Sequence, residues 1–212
     1  MINIFFRNPT SEEIATIIGF YDPLPYHNGF HALAVYARAI DIAGRHIGEG
    51  GDANLSLVKW SALFHDTRYA FKRPTGQSRE EYSASIAERY LDSLGAPQEF
   101  SIKVREIIID GTHRDGHFKT VEAQILRAAD LHTFSGEYPE FFAATLALYL
   151  EECALTGKVI SFEEWKKNTA KVAAFYQAQD IHLSSRYYDP RGSSKWHNNL
   201  ERNLELFQNE LL

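Results

Sequence analysis

The twelve residues Leu55-Ser-Leu-Val-Lys-Trp-Ser-Ala-Leu-Phe-His-Asp66 constrain this chain more than any other segment. They are apolar nearly all round, the pattern of a helix buried on every side. Other elements must therefore surround it, and they too read as helices. Thr10 with Glu13 forms a capping box ahead of Ile14, Ile17 and Ile18, and Ser78 with Glu81 and Ser161 with Glu164 repeat the signal. The first helix ends by Pro23 and Pro25. A second is predicted from about His27 to Arg45, closed by the glycine-rich loop 48–52. Thr67 to Gln77, with Pro74 and Gly76, is a loop, and Gly95 closes the helix that follows it. Further helices are predicted over 97–110, 121–134, 139–156 and 162–179, and a terminal one over 196–212 carries Leu200, Leu204, Phe207 and Leu211 on one stripe. Alternating strand patterns, internal repeats and low-complexity tracts are absent. The expected fold class is all-α, a helical bundle. It is read as a single domain over 1–212, with its core at about 20–180 and the terminal helix packed on it. The apolar fraction of 44%, with 14 Phe, 11 Tyr and 3 Trp, is ample for such a core.

The formal charge of −6 is spread along the chain, which disfavours duplex nucleic acid, whose phosphates need clustered Lys and Arg. A small anionic substrate is still open, because a bound metal and a few local Arg residues reverse the field locally. The single cysteine, Cys153, excludes an internal disulfide and a Cys-rich zinc site, and its apolar setting reads as a buried inert thiol. The segment Met1 to Pro9 lacks the basic region and apolar run of a signal peptide, and no apolar stretch is long enough to span a membrane. A soluble, cytoplasmic protein is expected.

Four residues carry the chemistry: His31 on the second helix, His65 and Asp66 at the end of the third, and Asp130 within Ile125-Leu-Arg-Ala-Ala-Asp-Leu-His132. Helix bundles build metal sites from side chains aimed inward by different helices. Mixed imidazole and carboxylate donors suit Mn, Fe, Co, Ni or Zn and tolerate Mg. A divalent ion so held lowers the pKa of its water and offsets phosphoryl charge. Unpaired carboxylates beside apolar faces are costly, and either a metal or a salt bridge resolves that cost. On residue types alone both remain open.

The pattern His31…His65-Asp66…Asp130 resembles the one that names the HD superfamily of metal-dependent phosphohydrolases. The contexts Tyr26-His-Asn-Gly-Phe-His31, Ala62-Leu-Phe-His-Asp66, Glu80-Glu-Tyr-Ser-Ala84 and Ile125 to Leu131 are similar to those of a bacterial subgroup described as predicted metal-dependent HD phosphohydrolases. The likeness runs over roughly residues 20–190. It implies the α-helical HD bundle, the four residues as ligands of one divalent metal, and hydrolysis of a nucleotide or other small phosphoester. A homodimer is compatible with it.

Other residues take roles around that site. His27, one turn before His31 on the expected helix, and Glu81 are read as orienting the ligands from behind. Asp66, Glu80 and His113 are the catalytic candidates. Glu80 is favoured because its place resembles an acid recurring in the subgroup, and acids at helix starts are common anyway. Arg68 stands at or near the place where some HD nucleotidases carry an acid, which puts their mechanism in doubt here. With Lys72 and His117 it becomes a candidate phosphate anchor, and Arg73 is as well explained by a solvated loop. His113 and His117, in Thr112-His-Arg-Asp-Gly-His117, fall where two-metal HD enzymes place extra ligands and leave room for a second ion. His132 should point away. The loop 187–192, rich in Tyr and Arg, either folds over the pocket or packs the terminal helix. Two further functions share the same residues: a metal- and nucleotide-binding regulatory module with little turnover, and a di-iron oxygenase, which needs more ligands than four.

Overall fold

The computed structural model describes residues 5–114, 116–181, 183, 188 and 190–210. The chain divides into two compact units, Met1–Asp130 and Leu131–Leu212. Among the described residues the elements are helical, apart from an isolated bridge between Tyr188 and Ser194. No helix among them is long and apolar enough to cross a membrane.

The first unit holds α1 (Ser11–Ile18), α2 (Gly29–Gly48), α3 (Leu55–Phe64), α4 (Arg79–Ser93), α5 (Gln98–Thr112) and α6 (Val121–Asp130). The apolar run that dominates the sequence is α3, and it is the hub. Helices α2, α6, α5 and α4 follow one another around it as packed neighbours, with α1 against α2 and α3. Val58, Trp60, Ala62, Leu63 and Phe64 are buried, and each fully buried large side chain contributes about 1.5–3 kcal/mol. Polar anchors fix the ends of the hub. Trp60 Nε1 donates to the Arg7 carbonyl at 2.9 Å, and the Asn54 side chain caps α3 by accepting from Ser56 and Leu57. Close approach of α5 and α6 requires Gly111, where a Cβ would stand 3.0 Å from the Ala123 carbonyl oxygen.

In the second unit a 3-10 turn (Leu131–Ser135) leads into α7 (Tyr138–Thr156), α8 (Phe162–Gln177) and α9 (Lys195–Gln208). Helix α9 packs on the turn, α7 and α8. Its buried stripe is Trp196, Leu200, Asn203 and Phe207, so Asn203 occupies the place expected of Leu204, and Leu211 lies outside the described residues. The reason is hydrogen bonding. Asn203 Nδ2 donates to the carbonyls of Phe134 and Gly136 at 3.2 and 3.0 Å, and Trp196 Nε1 donates to that of Leu131 at 3.3 Å.

Boundaries differ from expectation in three informative places. Helix α2 starts at Gly29 because Asn28 turns its side chain onto the Phe30 and His31 amides, which leaves His27 outside the helix. Helix α3 stops at Phe64, so His65 is its C-cap and Asp66 lies just beyond. The α-helix expected over 121–134 ends at Asp130 and continues only as the 3-10 turn.

Candidate metal centre

Asn28 sets the entry angle of α2 and thereby the direction of His31. At the far end of the hub, Tyr21 Oη donates to the Leu63 carbonyl at 2.9 Å, and Ser83 Oγ on α4 donates to that of Thr67 at 3.0 Å. These bonds clamp the residues on either side of His65 and Asp66. Asp130 closes α6. Three helices thus deliver the four side chains to one spot.

There, one ligand atom from each of His31, His65, Asp66 and Asp130 lies within 4.8 Å of the others. His31 Nε2 is 3.1 Å from His65 Nε2, 3.3 Å from Asp130 Oδ1 and 3.7 Å from Asp66 Oδ2. His65 Nε2 is 3.2 Å from Asp66 Oδ2 and 3.6 Å from Asp130 Oδ1. Ligands at about 2.1 Å from one ion stand roughly 3.0–3.4 Å apart when adjacent and about 4.2 Å when opposite, so the pairs at 3.1, 3.2 and 3.3 Å match adjacent ligands and those at 3.6 and 3.7 Å fall between the two. The tautomer fits as well. His65 Nδ1 lies 2.8 Å from the Ala62 carbonyl, which can only accept, so Nδ1 carries the proton and Nε2 is free to ligate.

His65 is fully buried, and Asp66 and Asp130 keep 14% and 19% of their side chains exposed, enough for a small molecule to reach them. Without a metal the four groups neutralise one another. Burial opposes charge on His31, but hydrogen bonds to Asp130 and Asp66 outweigh it and hold the imidazole above its ordinary value. For His65, burial is likewise overcome, by the Asp66 charge and bonds to both carboxylates. Burial would raise Asp66 and Asp130, yet the histidines hold both below the usual carboxylate range, Asp66 far below. Two carboxylates held ionised and two imidazoles that keep their protons only through those carboxylates are a donor set suited to a divalent ion.

The remaining expected site residues separate into those at the cluster and those elsewhere. His27, although off the helix, reaches the cluster: its Nε2 is 3.7 Å from Asp66 Oδ2. Its ring lies flat on Tyr69, centroids 3.7 Å apart at 9°. Glu81 bonds its carboxylate to the Ser78 amide in the capping box of α4. Glu80, half-buried beside it, has no hydrogen bond to the four residues among those described. Arg68 is exposed, at a φ of 57°, with its guanidinium 6.0 Å from the Phe71 ring, and Lys72 and Arg73 are exposed in the same loop.

His113 and His117 are exposed and line an open cleft of about 1410 Å³ beside Lys103, Asp110 and Lys119, and none of the four cluster residues lines it. Asp110 organises that wall: its carboxylate accepts from the amides of His117, Phe118 and Lys119 at 2.8, 3.1 and 2.6 Å. His132 lies in the 3-10 turn of the second unit. Of the stretches expected to carry further contacts, Asp115, His182, Ser184 to Tyr187 and Asp189 lie outside the described residues.

Tyr69, stacked on His27, and Arg79, packed on Tyr69, extend the surroundings of the cluster in a way that the sequence did not announce. Their only signal was an aromatic and an arginine flanking a loop next to the His-Asp pair. Compared with known proteins, the chain matches no family model and no curated protein.

Proposed function

We propose that the chain is a metal-dependent phosphohydrolase of the HD type, acting on a nucleotide or other small phosphoester. One observation carries this reading: four mixed nitrogen and oxygen donors converge from three helices at ligand spacing, with His65 Nε2 freed by the Nδ1 bond to Ala62. A divalent ion, once bound, supplies charge neutralisation for a phosphoryl group and a lowered pKa for water. His31, His65, Asp66 and Asp130 hold that ion. Asp66 and Asp130 are partly exposed, which gives a small substrate access, while His65 is fully buried. His27, with Nε2 3.7 Å from Asp66 Oδ2, orients that carboxylate. The catalytic candidates stay Asp66, Glu80 and His113, as the sequence has them.

The test is phosphate release from a panel of nucleotides and phosphoesters, with Mn, Mg, Co, Ni, Zn or anaerobic Fe(II) and with Asp66→Ala as the blank. Metal-dependent release absent from Asp66→Ala supports hydrolysis. No release from any compound, in protein carrying one ion per chain, discards it in favour of a binding module.

A further inference from the structure

A stack of side chains leads outward from the cluster. His27 touches Asp66, and its ring covers one face of Tyr69. The Arg79 guanidinium carbon stands 4.1 Å from the same ring centroid, and Nη1 donates to Tyr69 Oη at 2.5 Å. Two flat groups so close to one ring cannot share a face, so Tyr69 is sandwiched and Arg79 is the outermost layer. Aromatic stacking and the hydroxyl bond together fix the guanidinium plane.

Arg79 is half-buried and has no carboxylate within ion-pair distance among the described residues. Arg45 and Arg105, by contrast, sit on the carboxylates of Asp41 and Glu88. An arginine offers five N–H donors in a rigid fork, and one of them is used by Tyr69. The unused edge suits an oxyanion, because such charge-assisted pairs form two parallel bonds.

Resting on the metal-site reading above, we propose that Arg79, shelved on Tyr69, binds a second anionic group of the molecule whose phosphoryl group sits at the His31, His65, Asp66 and Asp130 cluster. The substrate class narrows accordingly to compounds with two separated anionic groups, a di- or triphosphate or a phosphoester that also carries a carboxylate. A simple monophosphate leaves the guanidinium unused.

The experiment is calorimetric titration of the Mn-loaded protein and of Arg79→Gln with inorganic phosphate, pyrophosphate, tripolyphosphate and phosphoglycolate. The expected result is a loss of about tenfold in affinity for one or more of the longer anions in Arg79→Gln, a typical consequence of removing one charge-assisted pair. Inorganic phosphate should bind both proteins alike, which also shows that the variant is folded. Which longer anion responds separates a phosphoryl from a carboxylate ligand. Equal affinities in both proteins for all four probes, or an equal loss for all four, overturns the Arg79 site and leaves the metal site standing. Failure of inorganic phosphate to bind the Mn-loaded wild type overturns both.

Discussion

The Nε2 atoms of His31 and His65 face each other across 3.1 Å, with a carboxylate oxygen on either side. Two lone pairs cannot sit so close without a proton or a cation between them. In the metal-free protein a proton does that work, and a metal must displace it.

The consequence is a pH dependence whose sign can be worked out. His31 and His65 are held above their ordinary value, so the stability they contribute is complete below about 6.5 and is lost as pH climbs through the raised values. Asp66 and Asp130 are held low, so theirs is present above about 3.9 and is lost as pH falls through the lowered values. The metal-free protein should therefore melt at a lower temperature at about pH 8 than at about pH 5.5, and metal binding should release protons and tighten with pH. Calorimetry in buffers of different ionisation enthalpy measures the release. Binding without proton release would sink this account of the cluster.

Removing a ligand should uncouple metal from stability while sparing the fold. Wild-type protein with metal at a hundred times its Kd should gain about 2.7 kcal/mol, and Asp66→Ala and Asp130→Ala should gain nothing. Thermal melts with and without Mn, beside metal analysis and circular dichroism, decide it. Full metal occupancy in either variant rules that residue out as a ligand.

His27→Ala leaves the four donors intact and removes the ring that holds Asp66. Metal affinity should fall about tenfold, the lower end of what orienting residues contribute. An unchanged affinity would mean that His27 does not position the Asp66 carboxylate.

The loop that carries His113 and His117 depends on one carboxylate. Asp110→Ala should free the amides of His117, Phe118 and Lys119. Hydrogen exchange there should quicken by at least tenfold, whereas amides of α3 keep their protection. Exchange that does not change would show that the loop keeps its conformation without the Asp110 carboxylate.

A substitution in α9 separates pattern from structure. By periodicity Asn203→Leu extends an apolar stripe, yet it strips the donors from the Phe134 and Gly136 carbonyls. The expected cost is about 1–3 kcal/mol, measured by chemical denaturation. A stabilised variant would show that the hydrogen bonds contribute less than apolar burial.

These cases mark where the sequence was legible. The hub was readable because Leu55 to Phe64 leaves no polar face for solvent, and the four cluster residues because chemically distinctive side chains end or line helices. Helix starts were visible where Thr10 and Ser78 make local capping boxes. His27 was misplaced because Asn28, one residue later, takes the cap by bonding its side chain to two amides, a choice that residue type alone leaves open. Asn203 hid for a different reason. Its partners lie 67 and 69 residues away in the chain, and only tertiary folding brings orphaned carbonyls to it. The same holds for Tyr69 and Arg79, joined across a loop whose path through Pro74 and Gly76 no periodicity describes.

The hub helix has one more consequence. With Cys153 as the single cysteine, the chain has no covalent means of tying distant segments together. His31 and His65 are 34 positions apart, and Asp130 lies farther still along the chain. A divalent ion gripped by all of them would knot α2, the end of α3 and α6 at one point, a removable rivet through the middle of the first unit. Chelation would then act on the whole unit as reduction acts on a disulfide-bonded protein, loosening segments that never touch the ion.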